Sequence, residues 1–476
     1  MRFTVLSHAG LLVECGGLQL VCDPWLVGSA YWRSWWNYPP VKQSLLETLK
    51  PDYVYLTHIH WDHFHGVSLR KFPRTTPIVI PRERYGRMRR DLNILGFKNV
   101  VELRHGETKK LGPDFSLTSY QFSPFADSAV IIAADGVRLL NANDAKIIGL
   151  PLDKILQEHP TIDFVLRSHS SANDRVCFEY LDNRERYIED PTIYARSFSN
   201  FVKRVRPRYA VPFASNHCHL HRDVYRFNER IQTPFDVKRY FDAFKERNGL
   251  DTELVVMVSG DSWDSGQGFS IQENDYFENR SEHLARYAKS VQPTLEKFYA
   301  REAAAALTLH QVEKFFESRF GEIPFFLRRK FRGKRIVMVA LSGEMKAAFE
   351  ISIWDRTVRE VDPNHLEPYS MIYEASALIL KQALALNMFS HVGISKRVTY
   401  RATREDMHLL QQFVDILNYF EYELLPLRKL VTLRTAVCFS RRWRELVLYS
   451  QLMAERLRGR QLIEVEQKYL ASHPEV

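Results

Sequence analysis

From Phe3 to about Leu140 the apolar residues fall in short β-type runs separated by turn residues, at 11–14, 18–22, 53–57, 77–80, 115–120, 129–133 and 137–140. These runs predict strands. Helical periods predict helices between some of them, at 44–49 before Pro51 and 85–95 before Gly96. The pattern continues with strands at 164–166, 209–212 and 254–258 and a helix at 193–205. Strands and helices mixed in this way predict an α/β layer fold, an αββα sandwich or a close relation of it.

After about position 292 the texture changes. An alanine-rich helix is expected to start in 302–309 and run amphipathically through Phe316. Strands follow at 335–341 and 349–354, then helices at 369–385, 404–420 and 443–458. A chain of 476 residues is long for a single core, so two domains are expected: a catalytic domain at 1–292 and a smaller α+β domain at 293–476. No internal repeat at solenoid or propeller spacing is present.

Composition narrows the class. Hydrophobic content of 45% with 26% charged residues is ordinary for a soluble protein, and no apolar run approaches the ~18 residues that cross a bilayer. The opening Met1-Arg2-Phe3-Thr4-Val5 reads as a first strand rather than a secretory signal. Five scattered cysteines without a Cys-x-x-Cys pair argue against a disulfide framework or zinc ribbon and point to a reducing compartment, the cytoplasm. The net charge of +9 is concentrated at 82–90, 328–335, 441–444 and 456–460. A solvated basic surface is its plainest meaning, a peripheral contact with an anionic membrane a sharper one. No nucleic acid is expected as partner.

The chemistry starts where the strand at 53–57 ends, in Thr57-His58-Ile59-His60-Trp61-Asp62-His63. In extended backbone His58 and His60 project to one side, and Asp62 and His63 can bend back after the turn to a neighbouring position. Imidazole and carboxylate donors at this density suit zinc, iron or manganese. Even with 17 histidines in the chain, His-x-His-x-Asp-His arises by chance on the order of one time in a thousand. Two ions held there would lower the pKa of a bound water or, if iron, activate dioxygen.

The run is the signature of the metallo-β-lactamase superfamily. Together with Asp23-Pro24-Trp25-Leu26-Val27-Gly28, Trp35-Trp36, Arg206-Pro207-Arg208 and Pro212-Phe213-Ala214 it resembles the catalytic part of the CMP-N-acetylneuraminic acid hydroxylases. The resemblance implies a metallo-β-lactamase αββα sandwich with two metal ions, iron favoured and zinc the alternative. It places the ligands at His58, His60, Asp62, His63 and His221, with Asp144 as the bridging carboxylate and Asp62, His63 and Asp144 as catalytic residues. The family's middle histidine falls on Ser123, a poor ligand. Candidates to replace it are His169, Asp127, and His217 or His219, which share a face with His221 if that stretch is extended. His8 and His65 are expected behind the ligands rather than among them.

The hydroxylases draw electrons through a Rieske domain, and its paired Cys-x-His and Cys-x-x-His motifs are not present in these residues. The expected activity is therefore a di-iron, oxygen-activating hydroxylation of a polar or anionic small molecule, with electrons from a separate donor protein. A zinc hydrolase of an ester, lactone or phosphodiester is the alternative, and a metal-binding module without catalysis the third reading. The aromatic loop of Trp25, Tyr31, Trp32, Trp35, Trp36 and Tyr38 would wall a cleft or simply pack. Cys218 reads as a small buried hydrophobe, and Asn173, Asp174 and Arg175 as turn residues or substrate contacts. The stretch 325–331 reads as a strand entry with a basic edge, or as a membrane or phosphate contact.

Overall fold

The β-type runs become two large sheets that face each other in the computed structural model, which describes residues 1–122, 127–170, 172, 174–182, 190, 192–440, 442–458, 460 and 462–472. The first has eight strands in the order Gly268–Ser270, Ser262–Asp264, Arg2–Val5, Leu11–Cys15, Leu18–Cys22, Tyr53–Tyr55, Ile78–Pro81 and Val100–Leu103. The second has seven: Glu253–Leu254, Tyr209–Pro212, Phe164–Arg167, Val137–Asn143, Asp127–Ala134, Phe115–Phe122 and Glu107–Gly112.

Alternation decides which side chains meet. Phe3, Val5, Val13, Leu20 and Tyr55 of one sheet pack on Leu117, Val130, Ile132, Phe164 and Val211 of the other as one buried cluster. The opposite faces carry helices. Met88 and Leu92 of Arg87–Ile94 cover Val54 and Ile80, and Leu152 and Ile155 of Leu150–Glu158 cover Ile131 and Leu140. The layers are α, β, β, α, the metallo-β-lactamase architecture.

Register sets the level at which the site forms. Cys22 pairs with Tyr55 in parallel, so the chain leaves both strands side by side at Asp23 and Leu56. In the other sheet Asn143 pairs with Arg167 and Arg167 with Pro212, again in parallel, so Asp144, Ser168 and Phe213 emerge together. Loops at the carboxyl ends of parallel strands from both sheets thus converge on one edge.

A third, six-stranded sheet occupies the C-terminal part: Phe178–Tyr180, Val398–Ala402, Met371–Ser376, Ile336–Ser342, Met345–Ser352 and Thr357–Val361. Its first strand comes from before position 292, and the helix Arg280–Ala303 runs through that position, so chain order and packing do not divide at one point. Helices Trp443–Leu457 and Leu462–Ser472 return to the first part, where Leu448, Tyr449 and Val465 join the cluster around Leu140.

Three expected elements differ. The helix expected over 369–385 is a strand, Met371–Ser376, followed by a helix, Ala377–Leu386. Met371, Tyr373 and Ala375 alternate into the core, and the strongly helical stretch after them masks the change of period. The helix expected to run from 302–309 through Phe316 breaks after Ala303 and restarts at Leu309, where Thr308 and Gln311 form a capping box. The strand entry considered for 325–331 is a helical turn, Phe325–Arg328, continued by a 3₁₀ turn, Arg329–Phe331. No helix among the described residues is long and apolar enough to cross a membrane, and all five cysteines are free thiols.

Candidate metal centre

Asp23 organises the centre. It is fully buried with a positive φ of 44°, and its Oδ1 accepts the Thr57 backbone N–H at 2.8 Å. Its Oδ2 accepts the Thr57 hydroxyl at 2.7 Å and the His63 Nδ1–H at 2.8 Å. The second bond fixes the tautomer and directs His63 Nε2 towards Asp62 and Asp144, each with a carboxylate oxygen 3.4 Å away.

Two groups of donors result. His58, His60 and Asp144 form one, and His8, Asp62 and His63 the other; within each group the candidate ligand atoms lie within 4.8 Å of one another. His58 Nε2 is 3.7 Å from Asp144 Oδ2, and His8 Nε2 is 3.0 Å from Asp62 Oδ2. The groups are adjacent, since the His58 and His63 rings are 4.1 Å apart and Asp144 touches both imidazoles. Asp144 leaves the strand Val137–Asn143 through Asn143, whose side-chain oxygen accepts the Asp144 N–H.

The donors fit metal ions. Nε2 of His58 and of His63, Oδ1 of Asp144, Nδ1 of His8 and both ring nitrogens of His169 and His217 are buried without a well-formed hydrogen bond to any described residue. So many desolvated imidazole nitrogens in one place would be costly without a further partner. The field has the required sign. Against the effect of burial, Asp144, Asp62 and Asp23 hold the His63 imidazole well above its ordinary pKa, as they would favour a bound cation. Asp62, which is buried, and Asp144, which is half-buried, are held below the usual carboxylate range against their desolvation by the surrounding imidazoles, His63 first for Asp62 and His58 first for Asp144. Burial, with His58 and His391 adding, pushes His60 well below its ordinary value, so it is a neutral donor.

The remaining candidates have different surroundings. His169 follows the strand Phe164–Arg167, is fully buried, and is lowered to about 3 by burial, with His8 adding to the shift. His217 stacks flat on Trp35, ring centroids 3.6 Å apart, and lies 5.4 Å from the His8 ring. His219 is two positions further along the same strand, its Nδ1 3.5 Å from the Ser34 hydroxyl. His221 is in neither donor group. The strand His217–His219 has ended, and His221 Nε2 lies 3.2 Å from Glu302, which also binds Arg397. Asp127 heads the strand Asp127–Ala134, and desolvation pushes its carboxyl up to about 6, opposed by His58. Ser123 and Asn173 lie outside the described residues. His65 caps a helical turn, with Nδ1 2.8 Å from the Ser68 hydroxyl.

Several groups around the centre had no signal in the sequence. Tyr422 places its hydroxyl 2.9 Å from His60 Nε2. His391, bonded to Glu421 at 3.1 Å, puts its ring 5.4 Å from that of His60. All three come from the C-terminal part, more than 300 residues along the chain. Tyr31 donates its hydroxyl to Asp62, which gives one member of the aromatic loop a role at the centre. Asp23 had a partial signal: a carboxylate directly after a strand and followed by proline.

No family model matches the chain. Among curated proteins it is similar to one from Mycolicibacterium smegmatis named as a Rieske 2Fe-2S iron-sulfur protein, 26% identical over 332 residues, 64% of this chain and 63% of that protein. A Mycobacterium tuberculosis protein of the same description is 25% identical over 331 residues, 64% of each chain. Cytidine monophosphate-N-acetylneuraminic acid hydroxylase of Mus musculus is 28% identical over 151 residues, 30% of this chain and 26% of that enzyme. The chain thus spans a little under two thirds of the length of the first of these relatives. Similar solved structures include an isothiocyanate hydrolase from Delia radicum gut bacteria, 15% identical, covering 56% of this chain and 99% of that one at a TM-score of 0.39. CmlA, a diiron β-hydroxylase from Streptomyces venezuelae, is 14% identical, covering 55% of this chain and 53% of that one at a TM-score of 0.38.

Proposed function

We propose that this chain is a dinuclear-metal enzyme, an iron-dependent oxygenase that hydroxylates a polar or anionic small molecule with electrons from a donor carried on another polypeptide. The reading rests on one observation above the others: two touching groups of buried and half-buried histidines and aspartates, in which His58 Nε2 and His63 Nε2 make no well-formed hydrogen bond to any described residue. The similarity to proteins named for a Rieske centre and for CMP-N-acetylneuraminic acid hydroxylase supports iron and an electron donor. Free cysteines throughout the chain support a reducing compartment, the cytoplasm.

On this reading His58, His60 and Asp144 would hold one ion and Asp62 and His63 the other. His8 and His217 stand where the second ion would take its remaining nitrogen donors, so His217 rather than His221 is the late histidine. Bound iron would supply the activation of dioxygen. Everything else is done by the chain. Asp23 and Thr57 hold His63 in one tautomer, Tyr31 holds Asp62, and the Tyr422 hydroxyl positions His60. Asp144 is 24% exposed where Asp62 is 5% exposed, so substrate approaches from the Asp144 side. Lys146, two residues on and 20% exposed, lies 3.9 Å from Glu466 and adds positive charge beside Asp144 that would favour an anionic substrate.

A histidine-rich donor set without thiolate also suits zinc, and the same residues would then serve a hydrolase of an ester, lactone or phosphodiester. Oxygen uptake separates the readings. Protein loaded anaerobically with ferrous ion and reduced with dithionite is expected to consume oxygen faster than an Asp62→Ala control treated alike. Absence of that excess, with hydrolysis of bis(p-nitrophenyl) phosphate by the zinc-loaded protein, would replace the oxygenase by the hydrolase.

A further inference from the structure

The outer face of the C-terminal helices has a composition that neither the fold nor the metal centre requires. Val431 is 88% exposed, Leu433 83%, Trp443 62% and Phe325 60%. Of these Val431 lines an open groove of about 690 Å³ together with exposed Phe326, Leu427 and Leu446, and Phe325, Leu433 and Trp443 are close to its lining residues in the chain. Single exposed apolar side chains are ordinary, whereas a set that lines one groove, as Phe326, Leu427 and Val431 do, marks a surface that is covered in use.

The charge on the same two segments has one sign. Residues 325–335 and 427–444 contain twelve arginines and lysines and no aspartate or glutamate. Some of these cations turn inward, as Arg434 does to Glu102, Arg442 to Glu445 and Lys334 to Asp406. Arg329, Lys330, Arg332, Arg428, Lys429 and Arg444 are exposed beside the apolar side chains. Arg428 and Lys429 also reach Glu322 and Glu423 at the edge of the face. An apolar centre of aliphatic and aromatic side chains with arginine and lysine around it matches the boundary between acyl chains and anionic headgroups.

We propose that this face docks on an anionic phospholipid surface, with Val431, Leu433, Trp443 and the Phe325–Phe326 pair entering the headgroup layer and the six exposed cations meeting lipid phosphates and carboxylates. Side chains that protrude as far as Val431 and Leu433 fit insertion between acyl chains better than contact with a flat protein face. The attachment is peripheral, and it stands independently of the reaction at the metal centre. The groove lies close to that centre. Arg84 lines it and donates to the backbone carbonyls of Tyr422 and Glu423, and the Tyr422 hydroxyl meets His60.

Sedimentation of the full chain with sucrose-loaded vesicles tests this, comparing neutral phosphatidylcholine with phosphatidylcholine containing about 30 mol% phosphatidylserine. Binding to the anionic vesicles only is expected, falling as sodium chloride is raised. A Val431→Ser/Leu433→Ser variant and an Arg329→Glu/Lys330→Glu variant are each expected to bind about tenfold more weakly, with melting midpoints unchanged. If one pair fails to fold, the other carries the test. No binding to anionic vesicles, or variants that bind like the parent, would overturn the proposal. So would a dimer in sedimentation velocity abolished by Val431→Ser/Leu433→Ser, or a complex with an acidic ferredoxin abolished by Arg329→Glu/Lys330→Glu, when the parent leaves anionic vesicles unbound.

Discussion

Two histidine runs of similar density meet different fates in this molecule. His58, His60 and His63 follow a parallel strand inside the eight-stranded sheet, and with Asp62 and Asp144 they converge on one small volume. His217, His219 and His221 lie on and beyond a short antiparallel strand paired to Trp35–Asn37 and separate. One stacks on Trp35 near His8, one faces Ser34, and one turns away to Glu302. Density alone therefore does not bring donors together. The early run converges because its strand ends in register with Cys22, which brings Asp23 under Thr57 and His63 and fixes the direction of the His63 ring. Among the described residues no comparable carboxylate anchors the late run as a unit.

The largest effect expected from breaking the early run is that of Asp62→Ala. It removes a carboxylate shared by His8, His63 and Tyr31, and should reduce bound metal by at least one ion per chain and turnover by at least about 100-fold, with the circular dichroism spectrum unchanged. A folded variant that keeps its metal and its rate would remove Asp62 from the centre.

The late run is sharpened by a matched pair. His217→Ala is expected to weaken metal binding by about 10- to 100-fold in a chelator competition. His221→Ala should leave metal content intact but lower the unfolding free energy measured in urea by about 1–2 kcal/mol, because Glu302 loses a buried hydrogen-bond partner. The opposite outcome would restore His221 as the late ligand.

Next in size is Asp23→Asn, which weakens the hold on His63 without removing a candidate ligand. Metal affinity about tenfold lower, with little change in melting temperature, is expected; an unchanged affinity would make Asp23 a purely structural carboxylate. Tyr422→Phe should have the smallest effect, a few-fold loss of metal affinity from a less firmly positioned His60. If it alters stability by several kcal/mol and affinity not at all, the C-terminal contact belongs to packing.

These comparisons also mark what the sequence made legible. Strands such as Leu18–Cys22 and Tyr209–Pro212 were readable as short apolar runs with turn-forming residues before them, Gly16-Gly17 and Pro207. The strand Met371–Ser376 was not, because six alternating residues run without a break into a ten-residue apolar helix. At the centre, His58, His60, Asp62 and His63 could be read from spacing within one loop, and Asp144 from the family resemblance. Tyr422, His391 and Tyr31 could not, since they reach the centre only through packing of segments distant in sequence. The family resemblance implied the late histidine at His221, and the register of His217–His219 against Trp35–Asn37, which puts the His217 ring 5.4 Å from that of His8, had no signal in the sequence.

The central claim is that these residues form a centre for two metal ions. Elemental analysis of protein purified anaerobically from cells supplied with both iron and zinc tests it most directly. About two metal ions per chain, mainly iron, are expected; less than one ion per chain in total would contradict it.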